Sequence, residues 1–424
     1  MNTKITLHPL LFVLFTLLLT GQTLQAQDWP QWRGANRDGI SQEKGLNLNW
    51  SESKPPLNWT FRQAGAGYSS PVIAGTTLYC QGAVDQQGFA FALDTETGNL
   101  KWKQELGKES VPDRENCPRG SITVDGDKLY LIRGIGQLHC LSATDGKVLW
   151  QKDFTADFNG KYMSRWGYSE SPLVDGDLVI CTPGGSDGTM VALDKNSGAV
   201  VWRTKEWTDE AGYSSPIVAE VDGVRQYIQQ AAKGVAGVAA KDGKVLWKVD
   251  VPGYKTAVIP TPVYRDHLVY VTAGYGAGCA CIRLAKTEAG MKAETVYNNK
   301  NMINHHGGVV LTGGHIYGHS DASGWTCQHL ETGEKIWGQR NREGAMRGSV
   351  VGVEDHLILL DERTGTLAVA AASPEGWKEV SRIDFPERTQ MQTTDNMVWA
   401  HPVIAGGKLY LRDHDLLHCV DLAK

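Results

Sequence analysis

An internal repeat dominates this 424-residue sequence and limits the folds that it can adopt. A segment ending in tryptophan, ALDTETGNLKW at its first occurrence, recurs along the chain. Its copies end at Trp102, Trp150, Trp202, Trp247 and Trp337. A regular period of this kind indicates a repeat architecture, because each unit buries its apolar face only by packing against its neighbours.

Each copy follows two short apolar runs that are separated by a Gly or Asp-Gly turn, as in SPLVDGDLVICT from Ser171. Such turns require positive φ and are a strong hairpin signal, so each unit is predicted to form four short antiparallel strands. The pattern predicts an all-β, eight-bladed β-propeller. Its blades begin at Ser70, Ser121, Pro172, Pro216, Pro262, Gly308, Ser349 and Pro402.

The two ends of the repeat region complement each other. The last copy stops after three strands at HCVDLAK, and the stretch LNWTF around Trp59 looks like a fourth strand without the first three. Joined, they form one complete blade, which closes the ring and removes an exposed sheet edge. The repeated tryptophans are predicted to pack between neighbouring blades, each with its indole N–H bound to the backbone.

The N-terminus has the layout of a secretory signal peptide: Lys4, an apolar run over residues 10–19, and a polar stretch ending at Ala26. An uncleaved membrane anchor is the alternative, but the run is short for a bilayer. We expect cleavage after Ala26, no lipid attachment, no later transmembrane segment, and a periplasmic or secreted location. The predicted divisions are a signal peptide (1–26), an N-terminal extension (27–54) and the propeller (55–424).

Composition restricts the partners. A net charge of −5 argues against nucleic acid, whose phosphates require a basic face. Eight cysteines in an exported chain suggest disulfides. Six of them, however, fall at equivalent strand positions and are predicted to be small core residues: Cys80, Cys140, Cys181, Cys281, Cys327 and Cys419. Whether Cys117 and Cys279 pair stays open, and we expect a monomer.

The pattern Ala-x-Asp-x-x-Thr-Gly-x-x-x-Trp, almost complete at 92–102 and 192–202, resembles the tryptophan-docking motif of quinoprotein dehydrogenases. It equally resembles the propeller lipoprotein of the bacterial outer-membrane assembly machine, which binds no quinone. The opening DWPQWRG with Arg37-Asp38-Gly39 resembles the start of exported bacterial pyrroloquinoline-quinone-like (PQQ-like) repeat proteins. The resemblance covers nearly all of the chain after Ala26 and implies the fold more strongly than an activity.

Resemblance to the dehydrogenases would imply PQQ with calcium. Those enzymes use an oxygen-ligand calcium site, a carboxylate base, an aromatic platform and, in many, adjacent cysteines joined as a disulfide. Adjacent cysteines and a Cys-x-x-Cys-His haem motif are both absent from this sequence. A quinone-dependent oxidation is therefore possible but lacks its usual residues.

The residues just before each blade start should meet at one mouth of the central channel, where ligand sites of ring-shaped folds usually lie. Most are small; the exceptions are Arg119, Glu170, His306, Arg347 and His401. These groups suit a polar or anionic ligand, with arginine matched to carboxylate or phosphate. The alternative is a structural Arg119–Glu170 ion pair that plugs the channel.

Aromatic residues in the same loops are predicted either to form stacking walls for a ligand or to act as lids over the core. They are Trp166, Tyr168, Tyr213, Tyr254 and Trp399. A metal held by His306, His401 and an acid such as Asp413 is a weaker alternative.

The leading hypothesis is a non-catalytic exported module that binds or scaffolds an envelope protein or a small polar ligand at the funnel. The rival is a quinone-dependent or other oxidoreductase with its site in the funnel. Hydrolytic or lyase chemistry at the His, Arg and Glu cluster is a third possibility.

Overall fold

A computed structural model describes residues 28–109, 117–251, 253–339, 347–392 and 396–424. The predicted signal peptide lies outside these residues. The described chain consists of strands and one short helix. In chain order these are β1 (Ile40–Ser41), β2 (Leu57–Phe61), β3 (Val72–Ala74), β4 (Thr77–Val84), β5 (Gln87–Asp94), β6 (Leu100–Lys108), β7 (Thr123–Asp125), β8 (Lys128–Ile132), β9 (Gln137–Ser142), β10 (Val148–Asp153), α1 (Phe154–Phe158), β11 (Leu173–Asp175), β12 (Leu178–Cys181), β13 (Val191–Asp194), β14 (Val200–Arg203), β15 (Ile217–Val221), β16 (Val224–Gln230), β17 (Gly234–Ala239), β18 (Val245–Asp250), β19 (Val263–Arg265), β20 (Leu268–Ala273), β21 (Gly278–Thr287), β22 (Gly290–Asn299), β23 (Val309–Thr312), β24 (His315–Ser320), β25 (Gly324–His329), β26 (Lys335–Gln339), β27 (Gly348–Val353), β28 (His356–Asp361), β29 (Leu367–Ala371), β30 (Glu379–Ile383), β31 (Val403–Ala405), β32 (Lys408–Asp413) and β33 (Leu416–Asp421).

The strands form eight sheets, which confirms the predicted eight-bladed β-propeller. In seven blades four strands pair antiparallel in sequence order, and in the eighth β2 follows β31, β32 and β33. Strand β1 adds a parallel fifth strand to the blade of β27. Each predicted blade start lies within two residues of the first strand of its blade. The period of the hairpin turns therefore determines where each blade begins.

Ring closure occurs as predicted. Strand β2 pairs antiparallel with β33, and Trp59 lies opposite Cys419. The eighth blade thus takes its outermost strand from residues before the first blade and its other three from the C-terminus. The outermost strand is far in sequence from the rest of its blade. Its pairing with β33 therefore joins the two ends of the repeat region and closes the ring.

The tryptophan and glycine of the repeated segment dock each blade against the next. The Trp102 indole N–H donates to the Ala143 carbonyl of the next blade (3.0 Å), and a Cβ atom at Gly146 would lie 2.6 Å from the Trp102 ring. Gly146 also has a φ of +76°, so both its conformation and its contact favour glycine. The same contact to a neighbouring blade's backbone is made by Trp59, Trp150, Trp202, Trp337 and Tyr297. Trp247 departs from the prediction, since its indole donates to Gln226 of its own blade.

Residues 28–50, here called the N-terminal segment, cross one end of the channel along the inner strands of several blades. Trp29 bridges Ile73 of the first blade, and the Pro30 carbonyl accepts from the Val124 amide of the second. Arg37 donates to the Ser171 and Pro172 carbonyls in front of the third blade. The segment then joins the seventh blade as β1.

The cysteines are core residues. All eight are buried thiols, so Cys117 and Cys279 do not form the disulfide that the sequence left open. The other six lie in second and third strands, as expected for small buried side chains. No helix within the described ranges has the length and apolar character that a membrane span requires.

Candidate functional site

The loops that lead into the innermost strands meet around a cavity of about 350 Å³ at one mouth of the channel. Its lining is aromatic and basic. It contains six aromatic side chains (Trp32, Tyr68, Trp166, Tyr213, Tyr275 and Trp399), two arginines (Arg119 and Arg347), three histidines (His305, His306 and His401), three serines (Ser169, Ser171 and Ser215), Ala257 and Ile259. None of the described lining residues is a carboxylate.

Most of these residues occupy repeat-equivalent places. The position three residues before a blade start contributes more of the wall than any other place. Six blades each supply one side chain from this position, counted in the first blade from Pro71, the residue after its predicted start. The six are Tyr68, Ser169, Tyr213, Ile259, His305 and Trp399. The wall is therefore a product of the ring geometry, with one side chain supplied by each of several loops.

The floor of the cavity is Trp32 of the N-terminal segment. Its indole N–H donates to the Thr261 hydroxyl (2.8 Å), and its ring lies 4.6 Å from that of His401. Behind it, burial lowers the pKa of both Arg33 and Arg37 to about 10, so both guanidinium groups stay charged at neutral pH. The N-terminal segment thus closes the channel and shapes the site.

Glu362 lies outside the lining and contacts three of the lining side chains. Its carboxylate lies 2.6 Å from His306 Nε2 and 3.2 Å from Arg347 Nε, and it accepts the Trp399 indole N–H at 2.9 Å. Burial opposes ionisation, but the hydrogen bond from His306 and the Arg347 charge outweigh it and hold the Glu362 pKa below its ordinary value. Three lining side chains are therefore held in place by one buried carboxylate.

A second carboxylate–imidazole pair lies beside the first. His305 Nε2 is 2.7 Å from Asp321 Oδ2, and the His305 ring stacks on Tyr275 with 4.5 Å between centroids. Arg347 Nη2 contacts the other nitrogen of His305. Arg347 consequently touches both pairs, which fixes its guanidinium at the cavity edge.

Five of the six residues predicted as ligand contacts line the cavity: Arg119, His306, Arg347, Trp399 and His401. Their role as ligand contacts stays a prediction. His401 is 6% exposed, its Nε2 lies 2.9 Å from the His306 carbonyl, and burial together with the Arg33 charge lowers its pKa to about 3. It is therefore a neutral imidazole that donates to the backbone.

Glu170 is the exception and is not part of the lining. It is buried, and its Oε2 accepts the Thr182 amide at 2.9 Å while Oε1 has no hydrogen-bond partner among the described residues. The expected Arg119–Glu170 plug is therefore wrong. The N-terminal segment closes the channel instead, and Arg37 is the cation that acts on Glu170.

Burial raises the pKa of Glu170 from its ordinary 4.5 to about 8, against the Thr182 hydrogen bonds and the Arg37 charge. The folded protein therefore binds a proton that the unfolded chain releases above pH 4.5, and stability falls as pH rises from there towards 8. Glu170→Gln should remove this loss. We expect the variant's advantage in unfolding free energy, measured by urea denaturation, to grow by up to about 1.4 kcal/mol per pH unit over that range. Parallel profiles for the two proteins would contradict this.

The weaker metal hypothesis is wrong for the residues named. Asp413 pairs with Arg388 and accepts the Thr389 amide at 2.9 Å, so it does not join His306 and His401. The described part of the chain brings no three His, Cys, Asp or Glu side chains close enough to hold a metal ion.

The predicted aromatic residues divide into two groups. Trp166, Tyr213 and Trp399 line the cavity. Tyr168 instead donates its hydroxyl to the Pro183 carbonyl (2.9 Å), and Tyr254 donates to Gln230, so both are lids over the core. Trp32, Tyr68 and Tyr275 complete the lining and were missed from the sequence.

Fold and repeat together define the class: an eight-bladed β-propeller of PQQ-like repeats. Residues 90–339 match the family model described as outer membrane protein assembly factor BamB. The match covers more than half of the chain, which therefore belongs to this family.

Individual relatives are distant. An outer membrane protein assembly factor BamB from Yersinia pestis is 27% identical over 222 residues, which cover 49% of this chain and 51% of that protein. The chain thus spans about half the length of such a curated relative. The crystal structure of BamB from Moraxella catarrhalis matches 86% of this chain and 97% of its own at 16% identity and a TM-score of 0.60. Quinohemoprotein alcohol dehydrogenase from Comamonas testosteroni matches 93% of this chain and 80% of its own at 11% identity and a TM-score of 0.64. At such identities the solved structures show the fold alone.

The residues of the cavity do not fit calcium-bound PQQ. Calcium prefers several oxygen ligands, carboxylates above all, and the described lining supplies no carboxylate. Glu362, the buried carboxylate behind it, is already engaged by His306, Arg347 and Trp399. The eight cysteines are thiols, and no two are adjacent in sequence.

Proposed function

We propose that this chain is an exported binding module that captures a small anionic ligand in the funnel cavity. One observation carries the proposal: Arg119 and Arg347 face a cavity whose described lining has no carboxylate. Guanidinium groups bind carboxylates and phosphates through paired, charge-assisted hydrogen bonds. A cavity of about 350 Å³ lies within the range of small-molecule sites.

The cavity is also built to stay in one shape. Trp32 is held by Thr261 from below, and Arg347 is held by Glu362 and His305 from the side. Preorganised donors lose little conformational freedom when a ligand binds, which favours affinity. The predicted signal peptide and the outer-membrane name of the family support an envelope location.

A small-anion panel tests this function. We expect at least one of acetate, succinate, citrate, D-glucuronate, phosphate and sulfate to raise the melting temperature saturably. In Arg119→Gln/Arg347→Gln the affinity should fall by about 100-fold or more, because each charge-assisted hydrogen bond contributes about 1.5–3 kcal/mol. The matched control is Arg225→Gln, which removes an arginine paired with Asp175 and outside the lining. No shift with any anion, or a shift that survives the double variant, would sink the proposal.

The family match favours a second candidate, a scaffold for an envelope protein. Pull-down from an envelope extract separates the two. A protein captured equally by the wild type and by Arg119→Gln/Arg347→Gln would favour the scaffold, with its interface away from the funnel.

A further inference from the structure

The hydrogen-bonding groups of the funnel cavity are mainly donors. The Ser171 hydroxyl accepts the Ser121 amide (2.8 Å), and the Ser215 hydroxyl accepts the Ser171 amide (3.0 Å). Because a lone pair of each oxygen is used in this way, each hydroxyl proton remains to be donated. The Tyr213 hydroxyl oxygen, at the cavity wall, accepts from the Ser164 side chain and the Trp166 backbone, so its own proton also remains to be donated. The lining therefore matches a ligand rich in oxygen acceptors.

Aromatic faces stand on opposite sides of this set of donors. Trp399 precedes the eighth blade and Tyr213 precedes the fourth, so the two lie across the diameter of an eight-bladed ring. Tyr68 packs against Trp399 with 4.7 Å between ring centroids, and Trp166 packs against Tyr213 with 6.0 Å. Trp32 forms the floor between them. Such walls favour a compact body with C–H groups to place on the negative ring faces.

The arginines enter from two further directions. Arg119 precedes the second blade and Arg347 the seventh, on either side of the Tyr68 and Trp399 wall. An occupant that satisfies all three features has a ring with C–H faces, several hydroxyl oxygens and a carboxylate.

We propose that this cavity binds a sugar acid, a pyranose ring carrying a carboxylate. The ring lies between the aromatic walls, the carboxylate pairs with guanidinium, and the hydroxyl oxygens accept from Ser171, Ser215 and Tyr213. This rests on the proposed function and names its ligand class.

Isothermal titration calorimetry of the mature chain with four probes tests the class. D-glucuronate has every feature, D-glucose lacks the carboxylate, cyclohexanecarboxylate lacks the hydroxyls, and acetate lacks the ring. We expect glucuronate to bind about tenfold or more tightly than each of the others. Equal or tighter binding of any of the three would overturn the sugar-acid class.

Three variants locate the contacts. Trp166→Leu should weaken glucuronate about tenfold and leave acetate unchanged, and Tyr213→Phe, which removes only a hydroxyl, should weaken it severalfold. Trp377→Leu, a tryptophan outside the lining, is the matched control and should change neither. Unaltered glucuronate binding in the first two variants would contradict the proposal.

The anion results separate this proposal from the proposed function. If other anions bind through the arginines but glucuronate has no advantage, the sugar-acid class fails and the proposed function stands. If no anion binds, both fail.

Discussion

Trp59→Ala is expected to lower the free energy of unfolding by about 3–5 kcal/mol, the range for removing a buried tryptophan. Trp59 is 9% exposed and lies in β2, the strand that closes the ring. Its indole donates to the Thr95 carbonyl of the first blade (3.0 Å), and a Cβ at Gly98 would lie 2.6 Å from its ring. Urea unfolding followed by circular dichroism measures the loss.

Leu57→Ala is the matched control, because Leu57 lies on the same strand but is 47% exposed. It should change the unfolding free energy by no more than about 0.5 kcal/mol. If the two variants were equally stable, Trp59 would not join the eighth blade to the first, and the closure of the ring by β2 would be in error.

Glu109→Gln is expected to cost about 3–5 kcal/mol, because it leaves a buried charge without its partner. Arg133 Nε lies 2.8 Å from Glu109 Oε2, and the two side chains are 2% and 1% exposed. Glu109 also accepts the Gly134 amide at 2.6 Å, so it ties the end of β6 to the second blade. Urea unfolding at neutral pH measures the effect.

A double-mutant cycle with Arg133→Met separates the ion pair from packing. The double variant should be less destabilised than the sum of the single variants, since neither charge is then stranded. Glu294→Gln removes an exposed partner, 66% accessible and paired with Lys292, and should cost at most about 1 kcal/mol. Strict additivity of the two buried substitutions would refute the coupling.

The fold was predictable from sequence because its determinants are local and repeated. The Gly146 turn and the Trp102 indole belong to one recurring segment, so the contact between blades repeats with the period. Ring closure was predictable for the same reason. The isolated strand around Trp59 supplies the fourth strand that the C-terminal blade lacks. Trp247 breaks the pattern because its indole N–H donates to Gln226 within its own blade.

The site was predictable only in part. The two residues before each blade start include Arg119, His306, Arg347 and His401, which the repeat therefore brings together. One residue further back would have found Tyr68, because AGYSSP at 66–71 is repeated at 211–216 around Tyr213. The equivalence of those two tyrosines is visible without a structure.

Other features had no local signal. Trp32 reaches Thr261, 229 residues away in sequence, through an N-terminal segment that shares no repeat with the blades. Glu170 was misplaced because its carboxylate turns away from the cavity and accepts the Thr182 amide, which its position before Pro172 does not reveal. Contacts between non-repeated segments are set by tertiary packing, which the period of the repeat does not encode.

A crystal structure of the chain grown with a saturating concentration of the anion that raises its melting temperature most tests the central claim. Electron density for that anion inside the funnel, within hydrogen-bonding distance of Arg119 or Arg347 and above Trp32, is the result that we predict. An anion bound on the outer surface, with the funnel holding only solvent, would contradict the assignment of this cavity as the binding site.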